Sequence, residues 1–192
     1  MINSLEHGIV DIYYGCIPVY FKTSERDLLK KLNAEEIKAY NKYRSESRKA
    51  EFLFGRSLVK SVLSTHLKTS PSNINLKKNS RGKLFIDDGI ERCKGIGFNI
   101  SHSGDMIACA VALDSKLGID VEKTLKEAST KKKGLGLSLT IDSFNVMETS
   151  EIFLNTIEPK PGYYISVAVG NDSGLNYEFR VNEVTLESLT EN

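Results

Sequence analysis

Met106 to Leu113 (MIACAVAL) is the longest uninterrupted apolar run in the chain. Eight residues is the length of a strand, and continuous apolar character marks a strand buried on both faces. The run is far short of the roughly 20 residues that span a bilayer, so no membrane segment is expected. The chain has 192 residues, enough for one large domain or two small ones with a core that needs no staples. Hydrophobic residues make up 40% and charged residues 27%, which excludes a disordered, collagen-like or disulfide-scaffold protein. The first residues carry neither a basic start nor an apolar stretch, so no secretory signal is expected and the chain reads as cytoplasmic. Three widely spaced cysteines, Cys16, Cys93 and Cys109, suit a reducing compartment and read as incidental or buried thiols. With 26 basic and 25 acidic residues, the basic excess expected of a nucleic-acid binder is missing.

Around that run the pattern is mixed α and β. Val10 to Tyr14 reads as a first strand closed by Gly15. Ser24 is placed to cap a helix through Leu28, Leu29 and Leu32, and Asn33 with Glu36 to cap a second. Ser47 to Leu67 has helical periodicity at Phe52, Leu53, Val59, Val62, Leu63 and Leu67. Short strands are expected over 74–77, 83–86, 96–100 and 117–121, a short helix over 124–133, and strands over 143–147, 163–169 and 177–184. A faint duplication emerges. Each half gives a strand, a helical crossing and a small sheet, but the second half lacks the long helices of the first.

Three segments invite chemistry, and each also has a bland reading. In Gly118-Ile119-Asp120-Val121-Glu122 a strand would point Asp120 and Glu122 to one face and Ile119 and Val121 into the core. Two such carboxylates can hold a hard cation such as Mg²⁺, or they can be a solvated strand end. Phe98-Asn99-Ile100-Ser101-His102-Ser103-Gly104 is a strand running into a polar turn. Its hydroxyls, imidazole and backbone N–H groups can hold a phosphate or merely bond to each other. Glu127 and Lys131 share a helix face at i and i+4. They are either a surface pair worth about 0.3–0.5 kcal/mol or a third carboxylate and a phosphate-binding lysine. Arg44, Arg48, Lys49, Arg56 and Lys83 are basic residues of which one or two can meet a phosphate.

In this order the segments FLFGRSLVKSVLS (52–64), RGKLFI (81–86), FNISHSG (98–104), GIDVEK (118–123), LKEASTKKKGLGLSL (125–139) and PGYYISVAV (161–169) resemble the 4′-phosphopantetheinyl transferases of the Sfp-like group. The resemblance runs weakly from about Val10 to Val169. It implies an α+β fold of two pseudo-twofold-related halves, each a small, mostly antiparallel sheet packed on helices. The active-site cleft lies between them, with residues 1–115 as the N-terminal half and 116–192 as a shortened C-terminal half. It implies Mg²⁺-dependent transfer of the 4′-phosphopantetheine arm of coenzyme A to a serine of an apo acyl or peptidyl carrier protein, releasing adenosine 3′,5′-bisphosphate. The carriers would be those of fatty acid, polyketide or non-ribosomal peptide synthesis. By the same resemblance Asp120, Glu122 and Glu127 are the metal ligands, with Glu127 alternatively the base. Lys131 stands near the pyrophosphate, Ser101 and His102 hold coenzyme A phosphates, Lys83 is the lysine of the family's Gly-Lys-Pro turn, and Arg48 meets the 3′-phosphate, with Arg44 and Lys38 as weaker candidates. A monomer is implied.

The chain departs from the pattern after Glu122. The family has some forty residues there, including a Trp, before its Lys-Glu-Ala motif. Here Lys123 leads almost at once into that motif, and the chain has no Trp. A second shortening is read between Phe153 and Pro161, where a strand is expected, and Gly-Lys-Pro has become Gly-Lys-Leu. The abrupt junctions favour an ordinary enzyme lacking a segment. The competing reading is a non-catalytic module of the same fold that binds coenzyme A or a carrier protein.

Overall fold

The buried run forms strand β5 (Met106–Leu113), and its position explains its composition. The structure, a computed structural model, describes residues 4–87, 95–124, 151–171 and 176–191. The helix expected over 124–133 (apart from Thr124), the strand over 143–147, and Cys93, Glu127 and Lys131 lie outside the described residues. β5 sits inside a four-stranded sheet ordered β4 (Ile96–Ser103), β5, β1 (Ile9–Cys16), β9 (Glu178–Glu183). Its alternate residues serve two different cores. Ile107, Cys109 and Val111 face the helices, whereas Met106, Ala108, Ala110 and Ala112 face a second sheet. With both faces covered, no position in the strand is left for a polar side chain.

The helical layer is built on α3 (Glu46–Leu67), whose Leu53, Phe54, Leu58, Val59, Val62 and Leu63 are buried. The helix ends at Lys68, in the left-handed region at φ 49°. α2 (Ala34–Lys42) begins with the expected capping box: Glu36 N donates to Asn33 Oδ1 at 2.9 Å and Asn33 N to Glu36 Oε2 at 3.0 Å. The expectation at Ser24 needs correction. α1 spans only Glu25–Leu29, and the Ser24 side chain caps nothing. A five-residue helix rests on the burial of Leu28 rather than on its cap.

The second sheet orders β6 (Lys116–Lys123), β8 (Tyr163–Asn171) and β7 (Glu151–Lys160), all antiparallel. The strand expected between Phe153 and Pro161 is present, since β7 fills that span with a register shift between Ile157 and Lys160 around Pro159. Leu117, Ile119, Val121, Ile165, Val167 and Val169 pack inward against β1 and β5. A hairpin of β2 (Leu76–Lys78) and β3 (Leu84–Ile86) stands to one side. The architecture is therefore α+β, with small sheets packed on helices.

Where β4 passes β6, the two edges are joined by side chains. Asn99 Nδ2 donates to Leu117 O at 3.3 Å, while Val121 N and Lys123 N donate to Ser101 Oγ and Ser103 Oγ, each at 3.2 Å. These residues alternate along β4 and so share one face. The close approach depends on Gly97, where a Cβ would stand 2.2 Å from Ser115 O. β9 returns to pair in parallel with β1, and its Arg180 forks onto the fully buried Asp11 with two bonds of 2.8 Å. α4 (Leu186–Thr190) then sets Leu186 and Leu189 into the helical core.

Candidate active site

One face of α3 carries Arg48, Glu51, Phe52, Gly55 and Arg56, at the i, i+3, i+4, i+7 and i+8 spacing of a single helical stripe. That stripe forms one wall of a groove of about 580 Å³. Ile100 and His102 of β4 form the floor, and Lys78, Gly82 and Lys83 of the hairpin the other wall. Gly55 permits the contact, since a Cβ there would meet Ile100 Cδ1 at 3.3 Å. A second groove of about 880 Å³ continues past Asn79–Lys83 and Ser101 to Asp120. The two share Gly82, Lys83, Asn99 and Ile100, so they run into each other.

Arg48, Lys83, Ser101, His102 and Asp120 all line this continuous depression. Arg44 and Lys38 do not line it. Lys83 Nζ donates to Leu117 O at 2.7 Å, and burial pushes its ammonium below the ordinary lysine value. An anion beside it would relieve that desolvation. Ser101 Oγ donates to Asp120 Oδ1 at 3.1 Å while accepting from Val121 N. This hydroxyl therefore orients the carboxylate. Asp120 and Glu122 stand on the outer face of β6, opposite Ser166 and Tyr164 of β8, with Ile119 and Val121 on the core side. That is the alternation expected of the segment. Among the described residues no three histidines, cysteines, aspartates or glutamates gather as a metal set. The pair Asp120 and Glu122 does fit Mg²⁺, which usually takes one or two protein carboxylates and fills its remaining positions with water and phosphate oxygens.

The sequence did not single out Glu51, Lys78, Tyr43 or Phe52 for this site, although all line it. Glu51 bonds to Arg48 Nη1 at 3.0 Å and to His102 Nε2 at 3.2 Å. Tyr43 and Phe52 stack at 5.4 Å between centroids, and the Arg56 guanidinium lies 5.4 Å over the Phe52 ring. The spacing of the α3 stripe was the available signal. Arg56 is largely buried, which lowers its pKa, with Glu36 at 3.8 Å acting the other way. Glu36 in turn bonds the fully buried Lys60. Burial pushes the Cys109 thiol up to about 12 and raises that of Cys16. Both agree with incidental thiols. Another cavity, of about 530 Å³ between α3, β9 and α4, holds none of the candidate residues.

Residues 22–114 match the family profile described as 4′-phosphopantetheinyl transferase, N-terminal. Among curated proteins, the chain is 31% identical over 97 residues to "4′-phosphopantetheinyl transferase HetI" of a Nostoc species, covering 50% of this chain and 40% of HetI. It is 29% identical over 170 aligned positions to "4′-phosphopantetheinyl transferase Sfp" of Bacillus subtilis, covering 62% of this chain and 73% of Sfp. It is 32% identical over 92 residues to "4′-phosphopantetheinyl transferase gsp" of Aneurinibacillus migulanus, covering 48% of this chain and 36% of that protein. The matches thus span less than half the length of HetI and of gsp. The Sfp alignment uses 62% of 192 residues, so about 50 of its 170 positions stand opposite gaps in this chain. On the profile match and these relatives, the chain is similar to the 4′-phosphopantetheinyl transferases, most directly over residues 22–114, and Sfp is among the relatives it resembles.

Proposed function

We propose that this chain transfers the 4′-phosphopantetheine arm of coenzyme A to a serine of an apo carrier protein. The supporting observation is the continuous groove that leads from Arg48 and His102, past Lys83, to Asp120. It offers positive charge along most of its length and ends at carboxylates, as a phosphate-bearing nucleotide substrate and a divalent cation require. In this reading the two halves are 1–115 and 116–192, related by a pseudo-twofold. They meet at the seam of β4 and β6 with the cleft beside it, and β9 crosses back to the first half. The protein acts as a cytoplasmic monomer on carriers of fatty acid, polyketide or non-ribosomal peptide synthesis.

Asp120 and Glu122, with Glu127, would hold Mg²⁺, which when bound neutralises charge on the pyrophosphate. Arg48 takes the 3′-phosphate. Lys83, His102 and Lys131 place donors around the pyrophosphate oxygens. Ser101 fixes the Asp120 carboxylate. Glu127, directly or through water, accepts the proton of the carrier serine. The serine oxygen bonds to the phosphorus bearing pantetheine as the bond from that phosphorus to the adenosine bisphosphate breaks. The work of the protein is positioning and electrostatics.

The test is the intact mass of a purified apo carrier protein after incubation with this chain, coenzyme A and Mg²⁺, with an EDTA control. A gain of one phosphopantetheine arm, lost with EDTA, is the expected result. Coenzyme A binding without any mass gain across several carriers would favour the non-catalytic binding module, which the short connection after Glu122 also suggests.

A further inference from the structure

The part of the groove beside α3 is lined by Arg48, Arg56, Lys78 and Lys83, and Glu51 is the one carboxylate among the described residues lining that part. It does not stand apart from the cations. Its Oε1 accepts from Arg48 Nη1 at 3.0 Å and meets His102 Nε2 at 3.2 Å, and its Oε2 meets Arg48 Nη1 at 3.2 Å. The carboxylate is held between α3 and β4, with 22% of its side chain exposed against 62% for Arg48 and 46% for His102. Stability gives little reason for the arrangement, because part-exposed pairs at i, i+3 contribute almost nothing to folding. An incoming phosphate would need the same two donors. A carboxylate oxygen and a phosphate oxygen place the same demand on a guanidinium and an imidazolium.

We propose that Glu51 is a specificity-determining residue. Its carboxylate occupies the Arg48 and His102 donors that the 3′-phosphate of the nucleotide substrate would otherwise take, and so relaxes the chain's demand for that phosphate. The inference rests on the coenzyme A reading of the groove. A substrate with the 3′-phosphate must displace an internal anion, whereas one without it leaves the Glu51 contacts intact. The discrimination between the two is therefore compressed.

The experiment is direct calorimetric binding of coenzyme A and of 3′-dephospho-coenzyme A, without carrier protein, to the full chain and to Glu51→Gln. Glu51→Gln keeps the shape and removes the charge. Its thermal midpoint is recorded alongside to establish folding, and Glu51→Ala is the second variant. The wild-type chain is expected to prefer coenzyme A only modestly. In Glu51→Gln the ratio of the two affinities should widen by about fivefold, through tighter coenzyme A binding with dephospho-coenzyme A unchanged. Adding Arg48→Gln to Glu51→Gln should collapse that ratio. An unchanged ratio, or weaker coenzyme A binding in the folded Glu51 variants, would overturn the inference and leave the groove reading standing. Failure of the wild-type chain to bind either nucleotide would overturn both.

Discussion

The two larger sheets share one interface and differ on their other faces. The four-stranded sheet turns its second face to α3 and the helices around it, so β5 is apolar at almost every position. Among the described residues, no helix packs on the second face of the three-stranded sheet. There it carries Asp120 and Glu122 on β6, a Thr156–Ser166 hydroxyl pair at 3.0 Å, and the exposed Ile152 and Leu154 of β7. A face freed from core duty can hold charged groups. The same kind of strand thus serves packing alone in one sheet and carries carboxylates on one side in the other.

The sharpest way to break this comparison is to remove a side chain from the helical side. Phe54→Ala empties a fully buried site on α3 and should cost about 3–5 kcal/mol in urea unfolding. A loss below 1 kcal/mol would mean that the helices do not carry the first core. On the outer face of β6, Asp120→Asn should move stability by less than about 1 kcal/mol. It should still lower carrier modification at least about a hundredfold, near 2.7 kcal/mol in the barrier, as measured by mass spectrometry. A variant equally slow and equally unfolded would assign Asp120 to the fold instead. At the seam, Ser101→Ala with Ser103→Ala leaves the Val121 and Lys123 N–H groups without their acceptors and should cost about 1–3 kcal/mol.

A smaller effect concerns acid. The Tyr163 hydroxyl donates to Asp105 and holds its carboxyl below the ordinary value, with Lys123 adding to this. A carboxyl depressed in the folded state stabilises above its unfolded pKa of about 4, and that contribution disappears as pH falls through the folded value. Asp105→Asn should therefore lower the neutral plateau of a stability profile and flatten its acid limb below about pH 4, with little change at the acid end, as urea unfolding across pH would show. Smallest of all, Leu154→Thr at an exposed position on the outer face of β7 should stay within about 0.5 kcal/mol of wild type. A large loss there would show that this face is covered after all.

Periodicity made much of this legible. The apolar run of β5, the alternation in β6, the Asn33–Glu36 box and the long helix each state a local rule, and each formed where it was expected. Features that depend on partners distant in sequence were not legible. Lys60 looks like a surface residue of a helix, yet Glu36 of the preceding helix makes its complete burial tolerable. Arg48 is offered by the sequence as a partner for the 3′-phosphate, and its contact with Glu51 is local, but the approach of His102 from β4 to the same carboxylate is not. The sequence offers Ser101 as a phosphate ligand but does not announce that its hydroxyl also donates to Asp120 across the seam. The strand of 178–183 was foreseen, but nothing local announces that it pairs in parallel with β1.

That last pairing bears on how the molecule is made. The sheet begun by residue 9 is not complete until residue 183 has been synthesised, and Asp11 has no guanidinium to meet until Arg180 arrives. During translation the N-terminal helices and hairpin form against a sheet with an open edge and a buried carboxylate still unpaired. The first strand is thus the last to be secured, and a ribosome-bound chain should gain protease resistance in a single late step rather than half by half.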